Sequence, residues 1–143
     1  MTAVPAPRVL RITVPGVPPS VNHQYVLTRR GPALTREAKR YAETVQWYAW
    51  EAAKRQGWRC TPKGQQVIVR LWYYWPDRRR RDAHNAHKVL LDAMQGVVYE
   101  DDRDVLPQVM AAEVDRENPR VEIEVEIVRR AIRTNPGVTQ EVD

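Results

Sequence analysis

Phenylalanine is absent from this chain, and cysteine occurs once, at Cys60. A lone cysteine excludes an internal disulfide, and no Cys or His pair stands at zinc-finger spacing, so a reducing compartment is expected. No apolar run approaches the ~20 residues needed to cross a bilayer, and the N-terminus lacks the apolar core of a signal peptide. The expectation is a soluble, cytoplasmic protein with no membrane segment. Without phenylalanine, the five tryptophans and six tyrosines must supply the bulky part of any core. Glycine is also scarce: six glycines beside eleven prolines leave room for well-formed elements. No internal repeat is visible, and 143 residues suit one domain with one core. What the chain has in excess is positive charge, +5 formally, which fits nucleic-acid binding without proving it.

Residues 1–7 are rich in Pro and Ala and read as loose chain. Residues 9–14 alternate, with Leu10, Ile12 and Val14 opposite Arg11 and Thr13, which predicts a strand ended by Pro15. Residues 16–25 form a proline-rich connection that cannot be helical. A turn with a basic tip follows at residues 28–31. Thr35 is a suitable N-cap with Glu37 in the first turn, and the helix it opens should run to Arg55 before Gly57. Its buried stripe is Ala38, Tyr41, Ala42, Val45, Ala49 and Ala52. Trp47, Tyr48 and Trp50 crowd one turn and cannot all share that stripe. Core filling is the first expectation for them, with at least one ring exposed or packed on a second copy.

Residues 67–75 alternate with both faces largely apolar, as in a central strand. A second helix is predicted from Asp82 to the Gly96 stop, burying Ala83, Ala86, Leu90, Ala93 and Met94. His84, Lys88 and Asp92 stack at i, i+4 and i+8 on its other side, with Asn85 beside them. Residues 97–99 should pack the turn that positions Glu100, Asp101 and Asp102. Residues 105–114, interrupted by Pro107, read as an edge strand. Residues 121–127 alternate Val121, Ile123, Val125 and Ile127 with three glutamates. These last two strands are expected to pair as an antiparallel hairpin. The fold class is therefore α+β: a mixed or antiparallel sheet of four to five strands with two main helices on one face.

The chemistry concentrates where the central strand meets the second helix. Arg78, Arg79, Arg80 and Arg81 run unbroken into Asp82, and Glu100, Asp101 and Asp102 follow on a separate segment. A surface ion-pair patch would account for arginines beside carboxylates. The separation of the acids from the arginine block favours a different reading, a cation held by oxygens converging from two segments. Asp82 alone could be a plain N-cap, and Lys88 alone an exposed helix lysine paired with Asp92. If residues 78–81 are extended, alternate side chains face opposite sides, so two of the four arginines would reach a phosphate backbone.

These residues also carry a resemblance. The run Pro-Asp-Arg-Arg-Arg-Arg-Asp-x-x-Asn-x-x-Lys-x-x-x-Asp-Ala from Pro76, the glycine turn and the Glu-Asp-Asp resemble the RusA family of Holliday junction resolvases. Pro18-Pro19-Ser20-Val21-Asn22 is similar to that family's Pro-Pro-Ser-x-Asn segment, and the likeness covers roughly residues 9–128. It implies a nuclease domain over residues 1–130, with 131–143 expected to be a disordered tail. It further implies that Asp82, His84, Lys88 and Asp102 are the catalytic positions, with Asp82, His84, Asp101 and Asp102 as metal ligands. Arg78, Arg79, Arg80, Arg81, Asn85 and Asn22 would contact DNA, with Tyr25 near the groove.

The implied partners are four-way junction DNA and a second copy, because matched cuts in two strands call for a two-fold homodimer. The implied cofactor is Mg²⁺. His84 departs from the pattern, which has aspartate there. A neutral imidazole favours Mn²⁺ over Mg²⁺, can act as a general base, or marks a protein that binds junctions without cutting them. An RNA- or flap-processing nuclease on the same scaffold is a third reading.

Overall fold

A computed structural model of the chain describes residues 6–20, 24–79, 81, 83–129, 131–135 and 138–141. The main sheet has four strands: β1 (Val9–Pro15), β4 (Val67–Trp75), β5 (Val105–Val114) and β6 (Arg120–Ile127). Their order across the sheet is β1-β6-β4-β5. Between β1 and β4 the chain makes a small hairpin, β2 (Tyr25–Thr28) with β3 (Gly31–Leu34), and then helix α1 (Arg36–Gln56). Helix α2 (Ala83–Met94) connects β4 to β5. This is the expected α+β domain with two helices and a mixed sheet.

Period-two alternation places the core. Leu10, Ile12 and Val14 face Val125, Ile123 and Val121 across the β1–β6 register, and all six are buried. Val67, Val69, Leu71, Tyr73 and Trp75 continue the layer on β4. Burying one such aliphatic side chain stabilises the fold by roughly 1.5–3 kcal/mol. Both helices cover this one face. Ala38, Tyr41, Val45, Ala49 and Ala52 come from α1 and are buried. Ala86, Val89, Leu90, Ala93 and Met94 come from α2 and join the same core.

Helix α1 begins and ends where its caps dictate. The Thr35 hydroxyl accepts from the Ala38 N–H at 3.1 Å. Gly57 closes the helix at φ 72°, a left-handed conformation that costs glycine little, and donates to the Ala53 and Lys54 carbonyls. Trp47 and Trp50 depart from the core-filling expectation: they are 56% and 52% exposed, while Tyr48 packs against the core. The buried stripe of α1 is lined with alanines, so the sheet approaches too closely to admit an indole there.

Two further expectations are corrected. β5 and β6 do not form a hairpin. β5 pairs in parallel with β4 at the sheet edge, and β6 lies between β1 and β4, antiparallel to both. The α2 crossover returns the chain parallel to β4. The connection after β5 then passes the end of β4, where the Asp115 N–H donates to the Trp75 carbonyl at 2.7 Å. Interior placement of β6 suits its glutamates, which meet Arg11 and Arg70 from the strands on either side. Residues 131–143 were expected to lack order, whereas Ala131–Asn135 and Val138–Glu141 pair as a separate hairpin, β7 and β8. The sequence signal for it is Asn135-Pro136-Gly137, a turn-forming triplet.

Candidate functional site

Past Trp75 the strand ends in a turn that sorts the arginines. The Asp77 carboxylate accepts from the Arg79 N–H at 2.9 Å and from Arg81 Nη1 at 2.7 Å. Arg81 also lies over the Trp75 ring, 4.9 Å from its centroid, with only 17% of its side chain exposed. The Arg81 hydrogen bond and the Arg79 amide hold the Asp77 carboxyl below the usual carboxylate range. Arg81, expected to bind DNA, is thus engaged within the chain, while Arg78 and Arg79 are exposed. Arg80, Asp82 and Asn22 lie outside the described residues. His84 and Asn85 belong to the first turn of α2, and their side chains likewise lie outside what is described.

The turn after α2 is built to present one carboxylate. Gly96, at φ 87°, adopts a conformation open to glycine, and its N–H donates to the Tyr99 carbonyl at 2.7 Å. Val98 and Tyr99 are buried, and the Tyr99 hydroxyl donates to the Leu91 carbonyl at 2.6 Å. Gln95 Oε1 accepts from the Asp102 N–H at 2.9 Å, fixing the backbone that carries the acid. The Asp102 carboxyl then meets the Asp92 carboxyl at hydrogen-bonding range. Partial burial, followed by this hydrogen bond and the Asp102 charge, raises the Asp92 pKa, and the Lys88 charge opposes the shift. Burial and the same two carboxylates push the Tyr99 phenol well above its ordinary value.

Lys88 is exposed on α2 one turn before Asp92, with its ammonium 5.0 Å from the centroid of the Tyr25 ring. That approach draws the β2–β3 hairpin to the site, where the resemblance led Tyr25 to be expected. Within the Lys88–Asp92 pair foreseen from the sequence, the charges interact without an ion pair inside 4.0 Å among the described residues. Ala83, the first residue of α2, precedes Asp92 by nine residues, about 14 Å of helix axis at 1.5 Å each. Asp102 therefore approaches α2 at the level of Asp92. Asp92 is the residue that the sequence pattern left outside the expected site. Its stacking with His84 and Lys88 was the available signal.

The neighbouring acids have other occupations. Asp101 caps the 3₁₀ turn Asp102–Asp104, its side chain accepting from the Arg103 N–H at 3.0 Å. Asp104 accepts from the Gly64 N–H at 2.8 Å, and Glu100 from the Cys60 thiol at 3.9 Å. Among the described residues no three His, Cys, Asp or Glu side chains converge as a metal cluster. The Asp92–Asp102 pair still fits Mg²⁺ or Mn²⁺, because hard cations take oxygen donors and Mg²⁺ commonly uses one or two carboxylates with waters.

No helix among the described residues is long and apolar enough to cross a membrane. A comparison with curated proteins gives no significant match. A comparison with family profiles matches residues 15–126 to endodeoxyribonuclease RusA. The match spans the Pro18-Pro19 segment, the arginine block, α2 and the Asp102 turn. By this coverage, and with a mixed sheet delivering its basic strand end to an acidic helix and turn, the chain belongs to the RusA family of endodeoxyribonucleases.

Proposed function

We propose that the chain is a metal-dependent endonuclease that cleaves four-way DNA junctions as a two-fold homodimer in the cytoplasm, with residues 1–130 as its nuclease domain. The observation that carries this reading is the Asp102 carboxyl brought against a second carboxyl on α2, beside Lys88 and downstream of two exposed arginines. Two anions facing each other call for a cation, and the exposed arginines call for phosphate. Asp102 would hold a divalent ion, with Asp82, His84 and Asp101 as the further candidates implied by the family pattern. When bound, such an ion supplies Lewis-acid stabilisation of phosphoryl charge and acidifies a water.

The other residues position the strand. Arg78 and Arg79, with Arg80, would grip the backbone without reading sequence. Asn22 and Asn85 would add hydrogen bonds near the scissile phosphate. Lys88, held loosely over Tyr25, is free to meet charge on the phosphoryl oxygens. Paired cuts need two sites, hence the dimer. Trp47 and Trp50 leave apolar surface for a second copy.

The test is cleavage of a synthetic four-way junction with Mg²⁺ and with Mn²⁺, using wild type, Asp82→Asn and His84→Asp. Wild type should cut, and more readily with Mn²⁺ if His84 is a ligand. Asp82→Asn should bind the junction and not cut it. If wild type is silent in both metals while His84→Asp cuts, the chain is a junction-binding protein that has lost cleavage. Linear duplex or RNA competing at equal affinity would refute the junction preference.

A further inference from the structure

We infer that Asp92, a position outside the ligand set implied by the resemblance, is the carboxylate that shares a divalent cation with Asp102. This rests on the metal-dependent reading above and names the ion's second ligand. Asp92 and Asp102 come from separate elements, the third turn of α2 and the 3₁₀ turn beyond it, and their carboxyls meet. Each group that could have neutralised them is committed elsewhere. Lys88 sits over the Tyr25 ring, and the Tyr99 hydroxyl donates to Leu91. The Gln95 side-chain oxygen accepts from the Asp102 amide. Two like charges held together by a rigid turn, with no arginine between them, are stable only around a proton or a cation.

Helix geometry points the same way. Asp102 reaches α2 at the level of Asp92, about 14 Å of axis beyond Ala83. A residue at the head of the helix is poorly placed to share with Asp102 an ion whose bonds to oxygen are about 2.1 Å. His84 adds a chemical reason. A neutral imidazole where the family has a carboxylate leaves a hard cation short of anionic oxygen, and Asp92 restores that charge one turn past Lys88.

The experiment titrates Mn²⁺ calorimetrically into metal-free wild type, Asp92→Asn, Asp102→Asn, Asp82→Asn and Asp92→Glu. Thermal unfolding in chelator and Mg²⁺-dependent junction cleavage are measured on the same samples. Asp92→Asn and Asp102→Asn should each weaken Mn²⁺ binding about tenfold or more, and Asp92→Glu should retain part of it. Without metal, Asp92→Asn should melt at or above the wild-type temperature, since a like-charge pair is relieved. A residue with a merely structural role would lower that temperature instead. Mn²⁺ binding that survives Asp92→Asn unchanged, or that is lost in Asp82→Asn alone, overturns the assignment; wild-type cleavage in that case leaves the endonuclease reading standing. Wild type that binds no Mn²⁺ and cuts nothing overturns both.

Discussion

Two acid-rich regions of this protein are built in opposite ways. On the sheet face away from the helices, each acid that forms an ion pair has an arginine. Glu124 pairs with Arg70 at 3.0 Å and with Arg11 at 3.4 Å, and Glu126 with Arg70 at 2.8 Å. Arg120 joins Asp115 at 2.8 Å and Glu122 at 2.9 Å. At the α2 corner, Asp92 and Asp102 face each other with no arginine between them, although the arginine block lies nearby in sequence. Asp115 and Asp92 register the difference. The Arg120 hydrogen bond holds the Asp115 carboxyl below its usual range, while partial burial and Asp102 raise that of Asp92. Cross-strand pairs that neutralise each other serve the sheet. A pair left unneutralised is where a cation has something to gain.

The contrast breaks most sharply at Asp102. Asp102→Asn should lower junction cleavage about 10³-fold, the scale of the several kcal/mol an ion contributes at phosphoryl oxygens, with binding nearly unchanged in a gel-shift assay. Equal loss of binding and cleavage would make Asp102 structural. Lys88→Ala should lower single-turnover cleavage about 10²-fold at saturating junction. A change confined to affinity would return Lys88 to the role of a surface lysine. Replacing Arg78 and Arg79 together by alanine should weaken binding to every junction sequence. It should also make the dependence of log affinity on log salt shallower, by about one unit of slope for each phosphate that goes unneutralised. Arg81→Ala should leave that slope unchanged, because its guanidinium is held by Asp77 and Trp75.

Acid titration in chelator should separate the two regions again. A carboxyl whose folded pKa is raised binds its proton more tightly when folded. Its contribution is full below the unfolded value of 3.8 and fades as pH rises through the folded one. Asp115, with a lowered pKa, behaves in the reverse sense, stabilising above 3.8 and fading as pH falls. Asp92→Asn should remove the first component from a melting-temperature profile and leave the second. The smallest effect belongs to the paired face. Glu124→Gln should cost about 1 kcal/mol or less by chemical denaturation and leave cleavage untouched.

How much of this was legible depended on whether a feature is local. Thr35, Gly57 and the alanine stripe specify α1 within one window of sequence, and its ends fall where the caps stand. Alternation revealed β1, β4, β5 and β6, but alternation carries no information on neighbours. The α2 crossover decided that β5 pairs with β4 instead of with β6. The β2–β3 hairpin shows no alternation because all four residues of β2 are exposed, so only its turn at Arg29 and Arg30 was visible. At the site, sequence could not separate Asp101 from Asp102, since adjacent acids on a turn look alike until one is used as a cap. Asp92 was passed over because an i, i+4 lysine offered it an ordinary partner. That partner went to Tyr25, across elements far apart in the chain.

Asp92 and Asp102 stand only ten positions apart, and the turn between them is closed largely by its own atoms, through Gln95, Gly96 and Tyr99. Bringing such near neighbours together loses little chain entropy. The corner is therefore a short cassette whose assembly asks little of the distant strands, so fraying of the β1 edge or the outer hairpins need not release what the cassette grips. Loss of the ion and loss of the fold should then be separate events on heating, with the tightness of a ten-residue loop governing the first.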